Sequence, residues 1–349
     1  MIVHPVSYLA WVKTLMPAAA HDLRLSGVPE RRLADPGPPV PDRSLARRVA
    51  AAVADRHATT ADHVFLGLGT SGANLHALAA LLSGGGEVLC ESPTYDPLWR
   101  TARFLGAPVR FFERLPSARW AVDPVGVEAA LSHETRVVVL TRLHNPTAAG
   151  VPDAVLLALG EIAEAHDLHV LVDEVYLDFA ADAVPAFRLH PRLVTTGSLT
   201  KVYGLGWLRV GWILADPGVI SRAEQARDCA EVVLPDPPLA LALATWERLD
   251  AFRDEARTRA REGARLAREA LCGLPGVEFD PDPGAPFGFL RFGDDDLALA
   301  ARCAALGLGV TPGSFFGAPG HVRIGWLGDP EATRRALAIL QEALRTKGS

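Results

Sequence analysis

Short apolar runs alternate with helical patterns along most of the chain, and several of these runs carry apolar residues at consecutive positions. His63–Gly67, Glu87–Glu91, Pro108–Phe112, Arg136–Thr141, His169–Asp173, Leu193–Thr196 and Gly211–Ala215 read as strands, with helices such as Asn74–Leu82 and Asp153–Asp167 between them. A run such as RVVVLT is apolar on both faces, which suits a parallel strand covered by helices on either side. The alternation therefore predicts an α/β chain built on a doubly wound, mainly parallel sheet. Beyond about residue 217 the pattern changes to a long helical stretch (Leu239–Cys272), an edge-like run (Phe287–Phe292), a helix (Asp295–Leu306), a strand (His321–Trp326) and a closing helix (Pro330–Thr346). We expect residues 46–235 to form the large domain. Residues 1–45 and 236–349 then form a smaller α+β domain.

Residues 27–45, rich in Pro, Arg and Asp, read as a connecting loop. The apolar N-terminus lacks the basic start of a secretory signal, since its first lysine is Lys13. It reads instead as an amphipathic helix with Tyr8, Trp11, Val12 and Leu15 on one side, in a cytoplasmic protein. A net charge of −6 provides no basic field for nucleic acid, and no run approaches the ~18 apolar residues of a membrane span. Cys90, Cys229, Cys272 and Cys303 are far apart and lack metal-ligand spacing, so they read as small core hydrophobes. Asp294–Asp296 reads as a solvated turn and helix start. No metal site is expected.

Four segments carry chemistry. In SLTKVYGLGWLR, a lysine follows a strand and a Ser/Thr-rich turn. Lys201 can form an imine with an aldehyde while Ser198 and Arg209 contact an attached phosphate; the plain alternative is a solvated loop lysine. In HVLVDEVYLDF, Asp173 ends a strand, where ligands of open α/β sheets bind, and Tyr176 follows three residues later. A carboxylate there can pair with a protonated pyridine nitrogen, with Tyr176 donating to a ring oxygen. Glu174 competes for the aspartate's role but should point to the other side of the strand. In TRLHNPTAAG, the stiff Asn-Pro turn fixes Asn145, whose amide can reach the same ring. In VFLGLGTSGANLHAL, a Gly-rich turn opens a helix, and Gly69, Thr70 and Ser71 suit an anion.

A rival reading competes for the last segment. Gly67, Gly69 and Gly72 fit the dinucleotide fingerprint, with Glu91 near the expected acidic position, but that leaves the lysine, aspartate and asparagine segments without a task. Two further residues complete the candidates. Tyr95 in ESPTYDPLW can stack on a planar ring or be an ordinary core-edge tyrosine. Arg323 in HVRIGW can grip a substrate carboxylate or belong to an internal salt bridge.

Taken together, SLTKVYGLGWLR, HNPT, VDEVY and VRIGW resemble, in order, the motifs of fold-type I pyridoxal 5′-phosphate (PLP) enzymes, in particular the class I/II aminotransferases related to aspartate aminotransferase. The resemblance runs from about Val64 to Trp326. It implies a Schiff base between PLP and Lys201, which also moves the proton between substrate Cα and cofactor. It implies that Asp173 pairs with the ring nitrogen, that Asn145 and Tyr176 bind the ring hydroxyl, and that Tyr95 stacks on the ring. Gly69, Thr70, Ser71, Ser198 and Arg209 would hold the phosphate. Arg323, with Asn145, would bind the substrate. The implied activity is amino transfer between an amino acid and a 2-oxo acid, in a homodimer. The alternative is another PLP reaction on an amino acid: decarboxylation, β/γ-elimination or cyclisation in a biosynthetic pathway. This sequence departs from the family pattern in three places. Residues 31–45 contain no tyrosine for a partner's phosphate, Ala148 stands where NPTG has glycine, and the N-terminal segment is short.

Overall fold

The computed structural model describes residues 7–15, 19–33, 42–180 and 184–345. Its centre is a seven-stranded sheet in the spatial order Val64–Leu68, Val210–Leu214, Leu193–Ser198, His169–Asp173, Thr135–Thr141, Glu87–Ser92, Val109–Glu113. Pairing is parallel except at Val210–Leu214, which runs antiparallel to both of its neighbours. The expected strands are all present, with ends shifted by a residue or two.

Both faces of the sheet are covered, as the consecutive apolar residues require. Val137, Val139 and Leu171 pack with Ala73 and Ala77 of helix Gly69–Leu81 and with Val219 and Ala223 of helix Pro217–Asp228. Their neighbours Val138, Leu140, Val170 and Val172 point the other way, against Leu156, Leu159 and Ala163 of helix Asp153–Ala165. A doubly wound α/β layer results.

The second sheet is small and antiparallel, with Phe287–Arg291 and Thr311–Pro312 flanking His321–Gly325. Helices Leu249–Leu271 and Pro330–Arg345 pack beside it. The single helix expected over Leu239–Cys272 is instead two, Asp236–Thr245 and Leu249–Leu271, joined by a 3-10 turn at Trp246–Arg248. Thr245 Oγ1 donates back to Leu241 O and Ala242 O, a side-chain bond that bends helices.

The N-terminal segment laces the two sheets together. His21–Asp22 pairs in parallel with Leu308–Gly309, Gly325 N donates to Leu23 O, and Val28 N donates to Lys201 O. Helix Ser7–Leu15 forms as expected, with Tyr8 buried and Trp11 packed on Phe315; the expectation for Leu15 lies outside the described side chains. The loop expectation over residues 27–45 is described only at 27–33 and 42–45, the first irregular and the second opening helix Leu45–Arg56.

Two expectations are corrected. Cys90 and Cys303 are core hydrophobes, but Cys229 and Cys272 are exposed, because each sits just past the end of a surface helix. Asp295 does cap its helix, yet Asp296 is buried rather than solvated, accepting from Ser314 N and Ser314 Oγ. Among the described residues, no helix is long and apolar enough to cross a membrane.

Candidate active site

Strand register places Thr141, Asp173 and Thr196 side by side at the carboxyl ends of three adjacent parallel strands. This is the edge at which open α/β sheets bind ligands. A cavity of about 310 Å³ opens there, between the sheet edge, the start of helix Gly69–Leu81, the Lys201 loop, helix Ser7–Leu15 and the small sheet. Thr70, Ser71, Tyr95, Asn145, Asp173, Tyr176, Lys201, Arg209 and Arg323 all line it. Gly69 and Ser198 are outside that lining but touch it, Gly69 against Arg209 and Ser198 through Thr70 Oγ1.

Asp173 is buried and held from two sides. Asn74 Nδ2 donates to its Oδ2 at 2.9 Å and Val175 N to its Oδ1 at 3.0 Å, while Thr196 Oγ1 fixes the Asn74 amide at 2.6 Å. Burial raises the pKa of Asp173; Asn74, Val175 and the nearby charge of Lys201 oppose that rise. Lys201 shows the complementary shift. Burial, then the like charges of Arg323 and Arg209, lower its pKa to about 8, and Asp173 offsets only part of this. An amine so placed is partly neutral near pH 7–8, the state in which it attacks an aldehyde. Its Nζ lies 3.5 Å from Ser26 Oγ, which also accepts from Tyr176 OH at 2.9 Å.

The opposite end of the cavity suits an anion. Gly69 has φ +69° and passes so close to Arg209 that a Cβ there would lie 2.6 Å from Nη2. Thr70 Oγ1 donates to Ser198 Oγ at 2.7 Å, and Arg209 Nη2 donates to Leu68 O at 3.1 Å. Backbone N–H groups of the helix start, two hydroxyls and an arginine thus converge on one place. Ser71 and Arg209 are exposed, so this end is open to its surroundings.

Arg323 is 1% exposed, and among the described residues it meets no carboxylate. Its guanidinium donates to Asn145 Oδ1 at 2.8 Å, Tyr8 OH at 2.9 Å and Arg24 O at 2.9 Å, while Nε has no partner. The internal salt bridge considered for this arginine is absent among the described residues. A buried guanidinium surrounded by neutral acceptors is costly until an anion joins it.

The rival acidic residues are committed elsewhere. Glu174 lies on the far side of the strand end, bound by Arg142 Nη1 and Ala186 N. Glu91 is wholly buried and paired with Arg114 at 2.8 Å, and it accepts from Thr141 N and Thr141 Oγ1. No ribose could reach it. Ala148, where the family has glycine, adopts the left-handed conformation itself at φ +62°, so the turn before helix Asp153–Ala165 keeps a glycine-like shape.

Sequence reasoning missed Ser26, Asn74 and Tyr8. Asn74 left a faint signal as a polar residue one turn after Thr70 and Ser71 on the same helix face; Ser26 left none, and Tyr8 showed only as a packing residue of the N-terminal helix. A stronger signal for Lys201 was also available. The chain has just three lysines, Lys13, Lys201 and Lys347, and only Lys201 lies far from both ends of the sequence.

Comparisons with known proteins give the family. A family description, Aminotransferase class I and II, matches residues 37–340. The chain belongs to that family. It is thus an enzyme of fold type I, and its cofactor is PLP. The Thermus thermophilus aspartate/prephenate aminotransferase is 28% identical over 300 residues, 80% of this chain and 74% of that protein. Capreomycidine synthase of Streptomyces vinaceus is 32% identical over 308 residues, 86% and 79% of the two chains. Among solved structures, the PLP-dependent cyclase OrfR superposes with a TM-score of 0.86 at 25% identity, covering 99% of this chain and 98% of its own. The donor set fits PLP: an anion pocket at one end, a buried carboxylate deep in the cavity, and an amine of lowered pKa beside it.

Proposed function

We propose that this chain is an aminotransferase that moves the amino group of an amino acid to a 2-oxo acid, with Arg323 receiving the substrate α-carboxylate. The buried guanidinium of Arg323, facing the same cavity as Lys201 and Asp173, carries the reading. When bound, PLP supplies an electron sink that makes the substrate Cα–H acidic. Asp173 keeps the ring nitrogen protonated by offering it a buried anion, and Asn74 holds that carboxylate in place. Gly69, Thr70, Ser71, Ser198 and Arg209 hold the phosphate. Tyr176 and the Asn145 amide would bind the ring hydroxyl, and Tyr95 would pack on the ring. Lys201 would anchor the cofactor and carry the substrate Cα proton as general base. The partner subunit of a homodimer covers the open phosphate end.

A second reading, cyclisation of an amino acid, draws support from the likeness to capreomycidine synthase and to the OrfR cyclase. The same residues serve it, because Lys201 would move the same proton while the bond made differs. Mixing the holoenzyme with a panel of amino acids separates the two. Conversion of the cofactor to its amine form with release of a 2-oxo acid supports transfer. Amino acid consumed with the cofactor's aldehyde form retained, and a cyclic product, contradicts it.

A further inference from the structure

We infer that the substrate subsite takes an amino acid with an uncharged, apolar side chain, and that helix Ser7–Leu15 sets this choice. The inference rests on the assignment of Arg323 and Lys201 just proposed and names the substrate class of that site. Among the described residues, five charged ones line the cavity: Arg24, Asp173, Lys201, Arg209 and Arg323. Four already have a task. Arg209 faces the phosphate, Arg323 the α-carboxylate, Lys201 the aldehyde carbon and Asp173 the ring nitrogen.

The fifth, Arg24, is withdrawn. Its Nε and Nη2 donate to the two oxygens of Asp22, each at 2.9 Å, and its own side chain is 3% exposed. The guanidinium lies flat on Gly309, so close that a Cβ there would be 2.4 Å from Nε. What Arg24 offers the substrate side is its backbone oxygen, which accepts from Arg323. Among the described residues of this chain, a second carboxylate on the substrate therefore finds no counter-charge, and a cationic side chain finds no carboxylate that is not already used. An unpaired charge in such a site is strongly disfavoured.

Leu9 and Val12 of helix Ser7–Leu15, with Leu25 and Pro97, supply apolar lining to the cavity, and the Thr101 hydroxyl in the same lining donates to Pro97 O at 2.6 Å. Tyr8, one residue before Leu9, joins the same helix to Arg323 through its hydroxyl and meets Tyr95 edge-on at 5.5 Å. The helix thus presents one residue to the carboxylate arginine and its two apolar neighbours to the side chain.

The test uses the holoenzyme and two readouts. The shift of the cofactor absorption band on adding an amino acid reports binding, whatever reaction follows; the change to the amine form reports transfer. Leucine, methionine and phenylalanine should bind on the order of 100-fold more tightly than aspartate, glutamate, arginine or lysine, the discrimination a site gains by leaving a charge unpaired. Dicarboxylic or basic amino acids binding as well as the aliphatic ones overturn the inference. Leucine binding without conversion leaves the inference standing and removes the transfer reading. A second variant checks the helix. Val12→Arg places a cation over the subsite, and the ratio of glutamate to leucine binding should rise by about tenfold or more. An unchanged ratio removes the helix from the side-chain subsite.

Discussion

Lys201 and Arg323 lie in one cavity, and the arginine acts on the lysine. The arginine's charge, added to burial, holds the lysine at a pKa of about 8, so in the cofactor-free protein the amine loses its proton as pH rises through that value. Only the neutral amine attacks the aldehyde, so the rate of PLP capture should rise between about pH 7 and 9 with its midpoint near 8. A midpoint near the ordinary lysine value of about 10.4 removes this coupling. Arg323→Ala should weaken amino acid binding by about 2–5 kcal/mol, the scale of unpairing a buried charge, while PLP is still taken up; stopped-flow binding of amino acid and cofactor measures both. These residues were legible because each sits in a local motif with a chemical reason. Ser26 and Tyr8 were not, because no short-range pattern says that a segment near the chain start returns to meet Lys201 and Arg323.

At the scale of elements, the strand ends are held by a charge pair that the substrate never meets. Glu91 and Arg114 are both fully buried, and Glu91 ties down Thr141, whose Oγ1 accepts from Asn145 N at 3.2 Å. Removing one partner leaves a buried charge alone. Arg114→Met should therefore lower stability by about 3–5 kcal/mol in urea unfolding, and Glu91→Leu/Arg114→Met should recover part of that loss. A single variant as stable as the parent contradicts the account. Sequence pattern identified Glu91 only as a misleading fingerprint residue, since an acid at a strand end looks the same whether it meets a ribose or a buried arginine. The strands themselves were legible, because Val137 to Leu140 are apolar on both faces. The break at Thr245 was not, because both flanking stretches read as helix and a threonine hydroxyl bonding back to Leu241 O and Ala242 O leaves no mark in the pattern.

For the whole molecule, the decisive feature is a chain whose first described residues close a cavity built by residues 69–323. The fold class follows from alternating periodicity, but the lacing of residues 19–31 between the sheets is a long-range event that composition does not encode. The open phosphate end gives a further expectation at this scale. None of the four tyrosines can supply a partner's phosphate contact without leaving its own chain's interior, since Tyr8, Tyr176 and Tyr203 are buried and Tyr95 lines the cavity. The proposed homodimer must therefore cover Arg209 by other groups. Sedimentation equilibrium should give twice the 37.2 kDa chain mass, and a monomer binding PLP tightly contradicts that assembly.

The central claim is that one amine, at position 201, holds a cofactor whose ring nitrogen meets Asp173. Borohydride reduction of the yellow holoenzyme followed by peptide mass mapping tests it directly, because only one of the chain's three lysines lies far from both ends of the sequence. The account predicts loss of the visible band and a pyridoxyl mass on the peptide containing Lys201, absent in Lys201→Ala. Label on Lys13 or Lys347, or a parent protein that gains no band with added PLP, would contradict it.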